Sequence, residues 1–179
     1  MIREFELIKR DVVDKTRVFD YCKDTLRLPD GRTTVYETLL HKGAAAVVPV
    51  LDDGRILLVR QYRHAIGRTA LEIPAGGRDS VDEPFINAAA RELEEETGYR
   101  SDDLEPLISI VTAIAYCNEV IEVFVAKNLK PSNQNLDPDE FIEVEAFSRE
   151  ELSDMIFEGK IQDSKTIAAL MSYFHKSFS

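Results

Sequence analysis

Four glutamates fall within five residues, at positions 92, 94, 95 and 96, and this crowding constrains the chain more than any other stretch. At about 100° per residue, Glu92, Glu95 and Glu96 share roughly one third of a helix circumference, and Glu94 points elsewhere. Ile86, Ala90, Leu93 and Thr97 cluster on the opposite side. The spacing therefore predicts an amphipathic helix with one face in a core and three carboxylates on another. Like charges three and four residues apart weaken an isolated helix, and a bound cation reverses that penalty. Carboxylate oxygens are the ligands that hard divalent ions such as Mg²⁺ prefer, alongside waters and substrate phosphates. A merely solvated acidic face needs neither the apolar back nor the glycines that flank this segment. Pro84 suits the first helical turn, Ser80 or Asp82 is placed to cap it, and Gly98 stops it.

Composition narrows the setting. A chain of 179 residues with 44% hydrophobic residues fits one domain with a substantial core. The formal net charge of -11 argues against nucleic acid and anionic membranes as partners, since both need a basic surface. An anionic substrate then needs local cations. The first fifteen residues lack the apolar centre of a signal peptide, and no stretch approaches a membrane span, so a cytoplasmic protein is expected. Cys22 and Cys117 occur without a CxxC or Cys/His cluster, which predicts reduced, unpaired thiols.

Along the chain, residues 3–13 and 17–28 alternate apolar and polar positions, and a Pro29-Asp30-Gly31 turn leads into a further strand. The opening third thus reads as an antiparallel β-meander. AAAVVPVL and RILLVRQYR are apolar strands separated by Asp52-Asp53-Gly54, and the pattern predicts a central hairpin. After the acidic helix, residues 104–114 and 119–127 read as strands, KPSNQNLDPDE as an exposed loop and FIEVEAFS as another strand. Ser148-Arg-Glu-Glu is a capping-box pattern, and Asp163 or Ser164 opens a last helix running to about His175.

Gly77, five residues, Glu83, seven residues and then Arg91-Glu92-Leu93-x-Glu95-Glu96-x-Gly98-Tyr99 resembles the signature box of the Nudix hydrolases at every position. Outside the box, DTLRLPDG, LLVRQYR, EIPAG, DEFIEV and EGKIQDSKTIAAL resemble the ADP-ribose pyrophosphatase branch in the same order. The resemblance implies an α+β Nudix fold: an α/β/α sandwich with a central mixed sheet, plus the N-terminal antiparallel β-meander. It implies a single domain over residues 1–179. Residues 1–42 would contribute to a homodimer and residues 43–179 would form the Nudix core.

Cutting a phosphoanhydride requires an in-line water, charge neutralisation on the phosphoryl oxygens and a group that removes the water's proton. The resemblance carries metal ligation onto Glu92, Glu95 and Glu96, with a backbone carbonyl from Gly76 or Ala75, and implies Mg²⁺ with Mn²⁺ as a substitute. Arg91 matches the arginine that buttresses the glutamates. Glu140 matches the branch's catalytic loop glutamate, with Glu95 as the alternative base and a solvated acidic loop as the bland one. Arg63 and Glu72 match residues lining the substrate pocket, and either could instead form a structural salt bridge. Arg60 and Arg68 are weaker candidates, and His64 is expected to be exposed. Phe19, Tyr21 and Tyr36 are candidates for stacking a nucleobase, although aromatics at strand spacing usually pack.

The branch commonly has a Ser-Pro-Gly-type loop after the box. Here that loop reads Thr112-Ala-Ile-Ala-Tyr116-Cys117-Asn118-Glu119, without the proline, and a tyrosine at this place resembles a branch acting on dinucleoside polyphosphates. The expected activity is hydrolysis of ADP-ribose, a nucleotide-sugar, to AMP and ribose 5-phosphate. GDP-mannose, another nucleotide-sugar or a dinucleoside polyphosphate is the alternative substrate, and a noncatalytic nucleotide-binding domain is the alternative class.

Overall fold

The computed structural model describes residues 3–176. Strands β1 (Glu6–Lys15), β2 (Phe19–Arg27) and β3 (Thr33–His41) form an antiparallel meander. Strands β4 (Ala44–Pro49), β5 (Ile56–Arg63), β6 (Arg68–Glu72) and β7 (Ala75–Gly77) lead into helix α1 (Phe85–Thr97). Then come β8 (Tyr99–Arg100), β9 (Asp103–Val111), β10 (Val120–Lys127), β11 (Lys130–Pro131), β12 (Ile142–Phe147), α2 (Arg149–Phe157) and α3 (Ser164–Lys176). Among the described residues, no helix is long and apolar enough to cross a membrane.

Every residue of β4 is buried, and a strand with no polar face must be covered on both sides. Alternation along the strand divides its cover. Ala44, Ala46 and Val48, with Ile121, Val123 and Val125 of β10, pack against Leu152 of α2 and Ala169, Leu170 and Phe174 of α3. Ala45 and Val47, with Phe124 and Ala126, face Ala88, Ala89 and Leu93 of α1. The sheet of order β7-β4-β10-β9, in which β4 and β10 run parallel and the other pairs antiparallel, is therefore the middle layer of the expected Nudix α/β/α sandwich.

The expected central hairpin does not form. The turn after β4 closes, with the Gly54 N–H donating to Leu51 O, but only one bridge, Val50 to Ile56, joins the strands beyond it. β4 takes β7 and β10 as neighbours, whereas β5 takes β12 and β6 in a separate sheet. Both strands are apolar enough to be buried in the interior, so each occupies a central position in its own sheet. The segment at residues 73–74 crosses between these sheets, from β6 to β7, and this crossing delivers the chain to the acidic helix.

The meander sits apart from this core. β1 is exposed along its whole length, including Leu7, Ile8, Val12 and Val13. The Arg10 guanidinium donates twice to the Asp24 carboxylate of β2, at 2.7 Å each. β3 joins the core through the Leu39 N–H, which donates to Tyr116 O at 2.7 Å, and through the Asn118 N–H, which donates to Leu39 O. Cys22 is buried, Cys117 is partly buried, and both are unpaired.

The starts of α2 and α3 and the end of α1 follow the sequence, and the start of α1 does not. Ser148 and Glu151 form the reciprocal capping box of α2, and Gly98, at φ 70°, ends α1 with its N–H donating to Glu94 O. The N-cap of α1 is Pro84, with no side-chain cap. Ser80 accepts instead from the Asp82 N–H, and Glu83 from the Asp79 N–H, so these side chains close the loop onto itself.

Candidate active site

Helix α1 lies over the edge where β7 meets β4, and that placement changes the expected division of its faces. Ala88, Ala89, Leu93 and Thr97 are buried as an inner face, but Ile86 is exposed and Ala90 only half-buried. Glu92 and Glu96, expected on an outward face, are buried as well. The reason is β7, which brings residues 75–77 under the glutamates where water would otherwise be.

At this junction the backbone and carboxyls interlock. The Ala75 N–H donates to Glu96 Oε2 at 3.0 Å. A Cβ on Gly76 would fall on the Glu92 carboxyl, so any larger residue there would push that carboxyl out of its present place. Arg91 donates through Nη1 to Glu92 Oε1 at 2.6 Å and to Glu95 Oε2 at 3.1 Å, and through Nη2 to Gly77 O at 2.9 Å. Its Nε faces the Glu83 carboxylate at 3.6 Å and is buried without a hydrogen bond. Arg91 thus ties the loop before α1 to the helix. Glu94 turns away and accepts from the Ser132 hydroxyl.

Electrostatics mark the pair of buried carboxyls. Burial pushes Glu92 up to about 7, opposed by Arg91 and reinforced by the charges of Glu95 and Glu140. Burial pushes Glu96 up to about 8, reinforced by Glu92 and Glu140 and opposed by the Ala75 N–H and by Arg63. Glu140, half-buried in its loop, therefore acts on both. Its own carboxylate accepts from the Asp137 N–H at 3.1 Å.

Among the described residues, no three acidic, histidine or cysteine side chains stand gathered as a ready-made metal cluster, because Arg91 draws Glu92 and Glu95 toward itself. The donor set still fits a hard divalent cation. Two buried carboxyls keep acceptor capacity that one arginine and one N–H do not fill, and an ionised carboxylate offers about four lone-pair sites.

A second set of charges stands beside this one. Arg63 at the end of β5 makes a two-pronged contact with Glu72 of β6, at 2.7 and 2.9 Å. Lys165 of α3 donates to the same carboxylate and, at 2.9 Å, to Asp163. Burial alone would raise Glu72, but Arg63 and Lys165 hold it down to about 2. The structural salt bridge considered for Arg63 and Glu72 is thus present, and Arg63 remains 43% exposed at its side chain. Arg63, Asp163 and Lys165 also wall a cavity of about 370 Å³ that reaches Gly76 and Gly77, with His41, Thr112 and Glu119 across from them. A larger cavity of about 590 Å³ lies on the other side of that wall, against β6 and residues 159–165.

The remaining sequence candidates lie elsewhere within one chain. Tyr36 is exposed on β3, edge-on to Phe5, and Tyr116 is exposed in the β9–β10 loop; neither lines the cavity beside Gly76. Tyr21 sits on β2, and Phe19 lines a small surface cleft with Val81. Arg60 pairs with Glu145, Arg68 bonds Gln162, and His64 is exposed. Sequence inspection missed His41, Asp163, Lys165 and Thr166 as site or support residues. Asp163 was legible as a helix start and as part of the EGKIQDSKTIAAL resemblance, but local periodicity does not say that the residues after it face β6.

The comparisons agree with this architecture. The family description "NUDIX domain" matches residues 40–170. The chain is 37% identical over 169 residues to a methanol dehydrogenase activator of Bacillus methanolicus and 34% identical over 169 residues to an ADP-ribose pyrophosphatase of Bacillus subtilis strain 168. Each alignment covers 93% of this chain and 91% of the relative. A crystal structure of an ADP compounds hydrolase superposes with a TM-score of 0.85 at 23% identity, covering 98% of this chain and 95% of that one, which speaks to the fold alone. On the matched domain and these relatives together, the chain belongs to the Nudix hydrolase family.

Proposed function

We propose that this protein hydrolyses the pyrophosphate bond of ADP-ribose, giving AMP and ribose 5-phosphate. The observation that carries the proposal is the pair of buried, incompletely compensated carboxyls of Glu92 and Glu96 against Gly76, next to a cavity walled by Arg63 and Lys165. The first feature suits a divalent cation and the second a diphosphate. Similarity to the Bacillus subtilis ADP-ribose pyrophosphatase supports the choice of nucleotide-sugar.

In this mechanism Glu92, Glu95, Glu96 and the Gly76 carbonyl would hold Mg²⁺, or Mn²⁺ in its place. The cation supplies neutralisation of charge on the diphosphate when bound. Arg91 keeps Glu92 and Glu95 aligned and fixes the Gly77 carbonyl. Arg63 and Lys165, in the cavity wall, are placed to meet the phosphoryl oxygens at short range while Glu72 and Asp163 hold them in position. The Glu140 carboxylate takes the proton of the attacking water, with Glu95 as the alternative acceptor. Residues 43–179 form the catalytic core and residues 1–42 a dimerising meander, a division supported by the extent of the family match. Phe5, Leu7, Val12 and Val35, exposed on the meander, fit burial by a second copy. In such a homodimer Tyr36 and Tyr116 are available to the partner's nucleoside.

The test is turnover with Mg²⁺ across ADP-ribose, GDP-mannose and a dinucleoside polyphosphate. ADP-ribose with the highest kcat/KM is the expected outcome. Preference for another member of the panel reassigns the substrate, and no turnover of any of them removes the enzymatic proposal in favour of a binding domain.

A further inference from the structure

Between β6 and β7 the chain leaves one sheet and joins another, and its backbone needs partners in the gap. Pro74 has no N–H. The Ile73 N–H does, and Ile73 is only 1% exposed. Its acceptor comes from far along the sequence: the Thr166 hydroxyl oxygen, on the first turn of α3, at 2.9 Å. Thr166 is fully buried, and its hydroxyl donates in turn to Asp163 Oδ2 at 2.6 Å. The same Asp163 oxygen accepts from the Thr166 N–H at 3.0 Å, capping α3, and from Lys165 at 2.9 Å. On the far side of the gap, Pro74 O accepts from the Val47 N–H at 2.9 Å, the Ala75 N–H reaches Glu96, and Gly76 meets Glu92.

We infer that Thr166, held by Asp163, is a positioning residue for the catalytic glutamates. Its hydroxyl fixes the height of residues 73–76, and through them the Ala75 N–H on Glu96, the Gly76 carbonyl and the gap that admits Glu92. Thr166 touches no substrate. It acts because Ile73 carries the one N–H of the two crossing residues, on the side away from β4, while the Val47 N–H holds Pro74 O, and because the glutamates rest directly on the segment that follows. A displacement of about 1 Å in groups that hold reacting atoms can cost about 100-fold in rate.

This inference rests on the proposed metal-dependent hydrolysis, so the experiment separates the two. Thr166→Val keeps shape and burial but removes the acceptor for Ile73 and the donor to Asp163. Mn²⁺ titration of the full-length protein, followed by electron paramagnetic resonance, is the direct measurement. Thr166→Val is expected to bind Mn²⁺ roughly tenfold or more weakly than the unsubstituted protein, as for other groups that orient metal ligands, with kcat lowered and KM for the nucleotide-sugar changed little. Thr166→Ser restores both, because it returns the hydroxyl. Asp163→Asn, which keeps an acceptor for the cap but loses the charge, gives a smaller change of the same sign and serves if Thr166→Val does not fold. Wild-type Mn²⁺ affinity and kcat in a folded variant, with only thermal stability lowered, would leave Thr166 a plain structural residue and overturn the inference. No Mn²⁺ binding by the unsubstituted protein would overturn the proposed mechanism and this inference with it.

Discussion

Glu72 and Glu96 are equally hidden, at 3% and 4% exposure, yet their chemistry is opposite. Glu72 is held down to about 2 and Glu96 is pushed up to about 8. Burial therefore does not separate them; partners do. Glu72 has two cations, Arg63 and Lys165, bonded to it. Glu96 has one bonded partner, the Ala75 N–H, and two negative neighbours in Glu92 and Glu140, against which Arg63 acts only through space. A carboxylate already satisfied by protein cations is a strut, whereas one buried among like charges is, in the proposed mechanism, the one a cation from outside would meet. The difference teaches which acidic side chains of this chain bear on stability and which on activity.

The contrast is broken most severely at Glu96. Glu96→Gln should lower kcat/KM about 10³-fold or more, some 4 kcal/mol of barrier, while leaving the cation-free fold at least as stable. Steady-state kinetics with circular dichroism would check both halves, and near-normal turnover would contradict the ligand assignment. Glu72→Gln should behave in the reverse manner. Its depressed carboxyl contributes about 3 kcal/mol at neutral pH, since every tenfold gain in acidity on folding is worth about 1.4 kcal/mol. That contribution is present above about pH 4.5 and lost as the pH falls toward 2. Urea unfolding should show the loss, and a midpoint as high as that of Glu96→Gln would dissolve the distinction between the two sites.

Glu140→Gln sharpens the comparison from the side of the proposed base. It should reduce turnover by about 100-fold, within the usual range for a general base, and should ease the repulsion on Glu92 and Glu96. A loss below about tenfold transfers the proton-accepting role to Glu95.

How much of this contrast was visible beforehand depends on how local its cause is. The glutamate ridge, its glycine stop and the α2 capping box depend on residues within one or two turns of each other, so spacing alone exposed them. The burial of Glu92 and Glu96 depends on β7 sliding beneath α1, a contact between segments that local periodicity does not encode. The hairpin expected of β4 and β5 failed for the same reason: two apolar runs across a short turn look alike whether they pair or part into separate sheets. Lys165 and Thr166 lie 93 residues beyond their partners Glu72 and Ile73, and although their segment resembles the branch, no local periodicity says what either side chain meets.

The smallest expected effect is also the one that tests the comparison without mutation. A carboxyl whose folded value is raised to about 8 holds its proton in the native state but not in the unfolded chain between about pH 4.5 and 8. The unfolded state then binds fewer protons, so cation-free stability declines as the pH rises through that window. Glu72 contributes no slope there, because it is ionised in both states above about pH 5. Scanning calorimetry from pH 6 to 8 in a chelator should therefore show Tm falling, by about 2–4 °C for each kcal/mol lost in a protein of this size. Saturating Mg²⁺ should flatten or reverse the trend, because it binds the ionised carboxylates and displaces their protons. A Tm that rises with pH in the chelator would mean that Glu92 and Glu96 already have their counter-charge within the protein, and the division between strut and cation site would have to be redrawn.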